Sequence, residues 1–267
     1  MAQASPCSSG QALSAFFDRW RWAPEAAVAN LPMAEAKPKL TYFRAKGRAE
    51  LTRLIFAAGA VAYEDDRVAH DEMKRRKAAG ELPFGQFPVL TVDGRSFAQS
   101  YSIAKYAAKV AGLMPADPLV ALEVESIVDA TDDVRTKFVP IRYMPISAEE
   151  RLGKYADFFS TTLPPWLERF DRLLAKGGQG GFFVGGGLTL ADLAIFNMCD
   201  YLTNPSCEVQ AASPAHAEMG AKCLEPHAAL KAHAEMVAAL PRVAEWLARR
   251  PRTPHDNVLT LTEADYA

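Results

Sequence analysis

Leu82-Pro-Phe-Gly-Gln-Phe-Pro-Val-Leu90, then Asp93-Gly94, then Gln99-Ser100-Tyr-Ser-Ile-Ala-Lys-Tyr106 decide how this chain folds. Pro88–Val92 is a compact apolar run of strand length. Asp93-Gly94 is the dipeptide that a two-residue hairpin turn favours, because both central residues need positive φ. Arg95–Ala98 then returns antiparallel. At Ser100–Val110 the period changes: Ile103, Ala104, Ala107 and Ala108 share one face of a helix. Upstream, Lys39–Phe43 is a short strand. Arg48–Ala58 places Leu51, Leu54, Ile55 and Ala58 at helical spacing, with Gly59 closing the helix. Val61–Val68 reads as a second strand, and Asp71–Ala79 as a short polar helix ended by Gly80. The order βαβαββα predicts a mixed sheet with helices.

Downstream of Pro118 the pattern is helical throughout. Pro118–Val139 carries an apolar stripe of Ile127, Val128 and Val134. Ser147–Leu174 is a second long helical stretch, kinked or broken at Pro164-Pro165, since an interior proline removes a hydrogen bond. Gly177–Gly187 is glycine-rich and holds no regular element. Thr189-Leu-Ala-Asp192 matches a capping box, with Thr189 as N-cap and Asp192 in the usual place of Glu. The apolar helix Leu190–Leu202 follows. Thr203–Lys222 reads as a loop containing Pro205 and Pro214. Pro226–Ala239 and Pro241–Arg250 are the last helices, each opened by a proline. The chain thus predicts a small α/β domain, a linker near Met114–Asp117 and a larger all-α domain, with a cleft between them.

The 267 residues carry 30 Lys+Arg against 32 Asp+Glu, a formal net charge of −2, which excludes a globally basic nucleic-acid binder. No apolar run approaches the ~18 residues of a membrane-spanning helix. Cys7, Cys199, Cys207 and Cys223 form no C-x-x-C pair, which favours a reducing compartment. The histidines at 70, 216, 227, 233 and 255 show no paired metal-ligand spacing. Residues 1–36 stand apart as a flexible or loosely docked extension, with a targeting peptide and a partner-binding arm as alternatives. Basic residues there follow the apolar stretch Ala12–Phe17, the reverse of a secretory signal. Trp20 and Trp22 argue for docking.

Lys39-Leu-Thr-Tyr-Phe43, Gly47-Arg-Ala-Glu50, the 82–106 strings, Asp129-Ala-Thr-Asp132-Asp133, the Thr189–Asp192 box and Trp246-Leu-Ala-Arg-Arg-Pro251 run in the order found in cytosolic glutathione transferases. From about Lys39 to Arg252 the chain resembles that family. It is closest to the sigma class, which includes haematopoietic prostaglandin D synthases and lens S-crystallins. The resemblance implies an α/β thioredoxin-like N-terminal domain at 37–114 that binds glutathione. It implies an all-α C-terminal domain at 118–253 that forms a hydrophobic substrate site, with 254–267 as a tail. It also implies a cytoplasmic homodimer, with glutathione as co-substrate and no metal requirement.

By the same resemblance, Tyr42 and Arg48 are the catalytic candidates. The Tyr42 hydroxyl would donate to the glutathione sulfur and favour the thiolate, which is the nucleophile. Arg48 would donate to the tyrosine oxygen or support the sulfur site. The Phe87–Pro88 bond would be cis, offering backbone groups to the cysteinyl backbone of glutathione, with Gln86 reaching the same peptide. Gln99 and Ser100 would receive the γ-glutamyl carboxylate, Ser100 doubling as a helix N-cap. Asp133 would reach the glutamyl amino group of the glutathione bound by the other protomer. Read from spacing alone, Asp129, Asp132 and Asp133 form an acidic helix face, and a hydrated divalent cation there is a further alternative. The sigma pattern has a tryptophan where Met73 stands. Lys77 is the candidate for the glycyl carboxylate, with Lys74, Arg75 and Arg76 as alternatives. No tryptophan stands near Pro140–Met144, which argues against prostaglandin isomerisation. The leading reading is conjugation of glutathione to hydrophobic electrophiles. A glutathione-dependent isomerase or peroxidase, and a non-catalytic crystallin-like binding protein, are the alternatives.

Overall fold

The computed structural model describes residues 36–177, 179–203 and 214–251. The proposed extension, apart from its last residue, and the 254–267 tail lie outside the described residues.

Strand β1 (Lys39–Phe43) leads through helix α1 (Glu50–Ala58) to β2 (Glu64–Val68). Helix α2 (His70–Ala78) connects to β3 (Val89–Val92), β4 (Arg95–Ala98) and α3 (Ser100–Val110). The sheet order is β2-β1-β3-β4, with β1 parallel to β2 and antiparallel to β3, and β3 antiparallel to β4. The parallel pair needs a crossover helix and α1 supplies it, whereas β3 and β4 need only the hairpin. Asp93 and Gly94 both have positive φ, +47 and +74, as the dipeptide predicts.

The second strand starts at Glu64 rather than Val61. The Val61 N–H is used to close the end of α1 on the Phe56 carbonyl, so pairing with β1 begins only at Lys39–Glu64. Gly59 follows α1 at φ −83, so the turn does not need its conformational freedom. A Cβ at Gly59 would stand 2.4 Å from the Ala111 Cβ, so close approach of α1 to the end of α3 is what requires glycine.

The helical domain comprises α4 (Pro118–Tyr143), α5 (Ala148–Asp157), α6 (Pro164–Gly177), α7 (Leu190–Thr203), α8 (Pro214–Lys222), α9 (Ala228–Ala238) and α10 (Pro241–Arg249). Helix α4 continues through Pro140, four residues beyond the predicted end. Its last carbonyls are satisfied from outside: Arg151 donates to Ile141 O at 2.6 Å and to Met144 O at 2.9 Å. The predicted 147–174 helix is three pieces, α5, a wide turn at Phe158–Thr162, and α6, which Pro164 opens. Part of the predicted 203–222 loop is helical, because Pro214 starts α8; residues 204–213 lie outside the described residues.

The Thr189–Asp192 box is buried. The Asp192 carboxylate accepts from the Thr189 N–H, the Thr189 hydroxyl and the Phe183 N–H, each at 2.8 Å. It also meets His233 Nε2 at 3.1 Å. This cluster fastens the glycine-rich loop to the start of α7, the central helix that packs against α4 on one side and α1 on the other. The two domains thus share one continuous apolar core.

Candidate active site

Tyr42 lies in β1 opposite Arg67 of β2, buried beneath the junction of the two domains. Its hydroxyl oxygen accepts a hydrogen bond from the Arg48 main-chain N–H at 3.1 Å. The chain delivers that N–H by turning through Gly47 at φ +43. A Cβ on Gly47 would stand 2.4 Å from Tyr42 Oη and 2.6 Å from Cε1. Only glycine both accepts this φ and lets the main chain approach so closely. Sequence, turn and hydroxyl position are therefore one local unit.

That turn is held by buried charges from both domains. Arg53, fully buried on α1, donates from Nη1 to Ala45 O at 2.7 Å and from Nε to Asp65 at 2.9 Å. Glu50, at the start of α1, accepts from Trp246 Nε1 of α10 at 2.9 Å. Arg250, just past α10, forks onto Asp200 of α7 at 2.9 and 3.0 Å and lies 3.4 Å from Glu50. Lys46 Nζ, inside the turn, reaches the same Asp200 at 3.0 Å. Charges this buried are tolerated because each meets an opposite charge and further hydrogen bonds. The helical domain thereby sets the position of residues 45–50 and, through them, of the Arg48 N–H.

Above Tyr42 lies a cavity of about 170 Å³ between the domains. Phe43, Ala45, Gly47, Arg48 and His70 line it from the α/β side, and Arg135, Val139, Tyr143 and Tyr201 from the helical side. His70 stacks on Phe43 at 5.5 Å between ring centroids, and its Nδ1 is buried with no hydrogen-bond partner. Burial, with the charge of nearby Lys74, lowers its pKa and favours the neutral ring.

Beside the cavity, Gln99 turns the chain at φ +76 and ψ 106 into α3. This region is sparsely populated for a residue with a side chain and costs about 1–3 kcal/mol. Ile103 N–H closes the first helical bond on Gln99 O at 2.9 Å, so Ser100 is the first helical residue. Expecting Ser100 as the N-cap is therefore off by one. Gln99 holds the cap position, with no side-chain cap bond, because its left-handed backbone makes the turn. Ser100 lines a crevice that also contains Arg48, Tyr101 and Asn197.

Comparison with known proteins identifies this arrangement. Residues 132–250 match the glutathione S-transferase C-terminal domain. The chain is 33% identical over 214 residues to glutathione S-transferase S1 of Drosophila melanogaster, covering 80% of this chain and 79% of that one. It is 32% identical to the hematopoietic prostaglandin D synthase of Gallus gallus, over 80% and 97% of the two chains. The chain is a member of the glutathione S-transferase family. Among solved structures, rat hPGDS complexed with a quinoline superposes with a TM-score of 0.68 at 28% identity, over 82% of this chain and 99% of that one. Monomeric Na-GST-3 from the hookworm Necator americanus gives 0.66 at 30% identity, over 82% and 99%.

Within this transferase fold, the site residues read from the sequence fall into four groups. Tyr42, Arg48 and Ser100 line the cavity and its adjoining crevice, and Gln99 precedes Ser100 in the chain. The donor to Tyr42 Oη is the Arg48 main chain; the Arg48 side chain instead lies 3.5 Å from Asp132. The Phe87–Pro88 bond is cis, with both residues buried and Gln86 exposed before them. Of the α2 cations, Arg75 is held by Glu72 and Glu81, and Arg76 by Glu72. Lys77 is exposed and its Cε stands 3.4 Å from where a Gly85 Cβ would be. The three α4 carboxylates diverge: Asp129 meets Lys105 at 3.5 Å, Asp132 meets Arg48, and Asp133 is exposed. No group of three potential metal ligands occurs among the described residues. Nor is any described helix long and apolar enough to cross a membrane.

Sequence reading missed His70, Arg135, Tyr143 and Tyr201 in the cavity, and the Lys46–Glu50–Asp200–Trp246–Arg250 network. A trace of the network was visible. Glu50 and Arg53, at i and i+3, border the apolar stripe of α1, so its inner face could not be purely hydrophobic.

Proposed function

We propose that this glutathione transferase ionises the glutathione thiol against Tyr42 and transfers the sulfur to hydrophobic electrophiles. The observation that carries this reading is the Tyr42 hydroxyl at the cavity, fixed by the Arg48 N–H at 3.1 Å. An oxygen that accepts from a backbone N–H is polarised and becomes a better donor through its own O–H. Aimed at sulfur, that donor favours the thiolate. Lowering a thiol pKa by ~2 units corresponds to roughly 2.7 kcal/mol and makes thiolate the main species at neutral pH. The thiolate then attacks the electrophile held on the helical side of the cavity.

Glutathione would lie along the α/β domain. Its γ-glutamyl carboxylate meets Gln99, Ser100 and the start of α3. Its cysteinyl backbone pairs with the main chain at Phe87–Pro88, near Gln86, and its glycyl carboxylate meets Lys77. Asp133, exposed on α4, reaches the glutathione of the second protomer. The homodimer reading is supported by a separate apolar groove of about 590 Å³ along β3–β4 and α3, bordered by Phe84, Phe97 and Tyr106. Phe84 is 67% exposed, unusual for a side chain with no partner surface. Cytoplasmic placement follows from the family and the sparse cysteines. Isomerisation of a prostaglandin endoperoxide by the same thiolate is a second reading, favoured by the 32% identity to the Gallus gallus enzyme.

The deciding experiment is conjugation of glutathione to a neutral aryl halide by the unsubstituted chain and by Tyr42→Phe. The expected loss in kcat is roughly 10²-fold, as for removal of one preorganised donor, with glutathione binding retained. Unchanged turnover in the variant would refute the role of Tyr42.

A further inference from the structure

Most polar side chains on the wall of the between-domain cavity are already engaged. Tyr42 Oη accepts from the Arg48 N–H, and the Arg48 side chain lies 3.5 Å from Asp132. The Arg135 guanidinium carbon lies 4.9 Å from the centroid of the Tyr201 ring, and Tyr143 has an interaction of its own. His70 differs. It lines the same cavity as Tyr42, yet among the described residues its ring makes no hydrogen bond and no ion pair. The ring is held all the same. His70 is the first residue of α2 and stacks on Phe43, with 5.5 Å between ring centroids and 32° between planes. Phe43 also meets Tyr42 edge-on at 5.1 Å, so the imidazole and the tyrosine pack on the same ring. Nδ1 is shut away from solvent without a partner, which leaves Nε2 as the nitrogen within reach of a molecule in the cavity. Charging the ring would place a proton on Nδ1, a buried donor with no acceptor. Burial opposes the charge as well, as does Lys74, with Asp71 offsetting them in part. The neutral tautomer with its proton on Nε2 therefore presents a fixed N–H to the cavity. A neutral imidazole held in this way stabilises an oxygen as it gains charge, without giving up its own proton.

We propose that His70 is a further catalytic residue of this site: its Nε2–H donates to the oxygen of the electrophile that becomes negative as the glutathione sulfur adds. The inference rests on the proposed transfer reaction and adds a group to it. For an enone the step balances within the two reactants and water. The sulfur–carbon bond forms, the alkene pair moves onto the carbonyl oxygen, and the Nε2–H holds the resulting enolate. Water then supplies a proton to the α-carbon, equal to the one the thiol released on ionising. His70 ends the cycle as it began. An electrophile with no oxygen to charge gains nothing from this donor, and that difference is what separates it from a group acting on the thiolate.

Two neutral electrophiles that share a phenyl ring make the test: 4-phenylbut-3-en-2-one, which forms the enolate, and benzyl chloride. In benzyl chloride the sulfur displaces chloride, which leaves with the bonding pair, and no oxygen takes up charge. The value of kcat/KM is measured on each for the unsubstituted enzyme, for His70→Phe, which keeps a ring on Phe43 and removes the donor, and for His70→Gln, which keeps an N–H donor. The expected result is a ratio of kcat/KM, enone over benzyl chloride, that falls roughly 10²-fold in His70→Phe, the effect of losing one preorganised donor to an oxyanion. The fall should be smaller in His70→Gln. An unchanged ratio in His70→Phe would overturn the proposal whatever the absolute rates, because a role in packing or on the thiolate moves both substrates together. A ratio that falls equally in the two variants would overturn it in favour of pocket shape. Turnover of benzyl chloride without turnover of the enone by the unsubstituted chain would overturn it as well. Failure of the unsubstituted chain on both compounds would instead refute the proposed transfer reaction.

Discussion

Gly47→Ala is the sharpest test of how the sulfur site is built. The new Cβ would stand 2.4 Å from Tyr42 Oη, 2.6 Å from Cε1 and 2.8 Å from Cζ, all closer than real Cβ contacts. Ordinary contact begins near 3.4 Å, so the ring and the turn must separate by about 1 Å. The Arg48 N–H to Tyr42 Oη bond, now 3.1 Å, then exceeds hydrogen-bonding range. Alanine at φ +43 also costs about 1–2 kcal/mol in backbone strain. Overpacking a buried site adds about 1–3 kcal/mol. The sum, about 2–5 kcal/mol, corresponds to a fall in Tm of roughly 4–20 °C for a chain of this size. A misplacement of about 1 Å at a reacting centre costs on the order of 10²-fold in rate. The assay is kcat/KM for glutathione conjugation as a function of pH, with Tm measured on the same preparations. The apparent thiol pKa should move up toward ~8.5, the value of an unassisted thiol. Gly185→Ala is the control: it has φ +66 but nothing within 4 Å of its added Cβ, so it carries strain without the clash. A Gly47→Ala enzyme with the activity and pH profile of the Gly185→Ala control would refute the claim that this glycine sets the tyrosine.

Three further outcomes follow from the same geometry. Arg250→Ala takes the two-pronged fork from Asp200, which keeps Lys46, and a cation from buried Glu50; it should destabilise the fold by about 3–5 kcal/mol in denaturant titration, with Arg250→Lys intermediate. The His70 pKa is lowered by burial and Lys74 and only partly restored by Asp71, so the unfolded chain binds the extra proton more readily. Its contribution to stability is complete above pH ~6.5 and is lost as pH falls below that; His70→Asn should flatten the slope of Tm against pH in that range. Phe84→Asp places a charge in the β3–β4 groove and should shift the sedimentation coefficient from dimer to monomer; a variant that sediments unchanged would remove that groove from the dimer reading.

Elements carried by local signals were legible in the sequence. The Asp93-Gly94 turn, the apolar faces of α1 and α3 and the break at Pro164 each depend on residues close together in the chain. The gathering of Tyr42, Arg48 and Ser100 followed from recognising strings in a fixed order. The cap at Gln99 was not legible, because nothing in a glutamine announces a left-handed backbone; the surrounding fold imposes it. The inner charges were not legible either. Glu50 looks like an ordinary first-turn acid on α1, and its partners Trp246 and Arg250 come almost two hundred positions later. Arg135 is masked in the same way. Beside Asp132, Asp133 and Lys137 it reads as one more charge on a solvated helix, and only the packing of α4 against α7 shows which of them turns inward.

The tie between the sulfur-site turn and Arg250 has a consequence for synthesis. A chain leaving the ribosome exposes β1, the Gly47 turn and Tyr42 early, yet the groups that lock the turn emerge among the last residues described. Until Trp246 and Arg250 are free of the exit tunnel, Glu50 and Asp200 have Arg53 and Lys46 beside them but lack the groups from the end of the helical domain, and the turn beneath Tyr42 is incompletely held. A chain cut short before Trp246 therefore carries Tyr42 without the contacts from α10 that hold its turn.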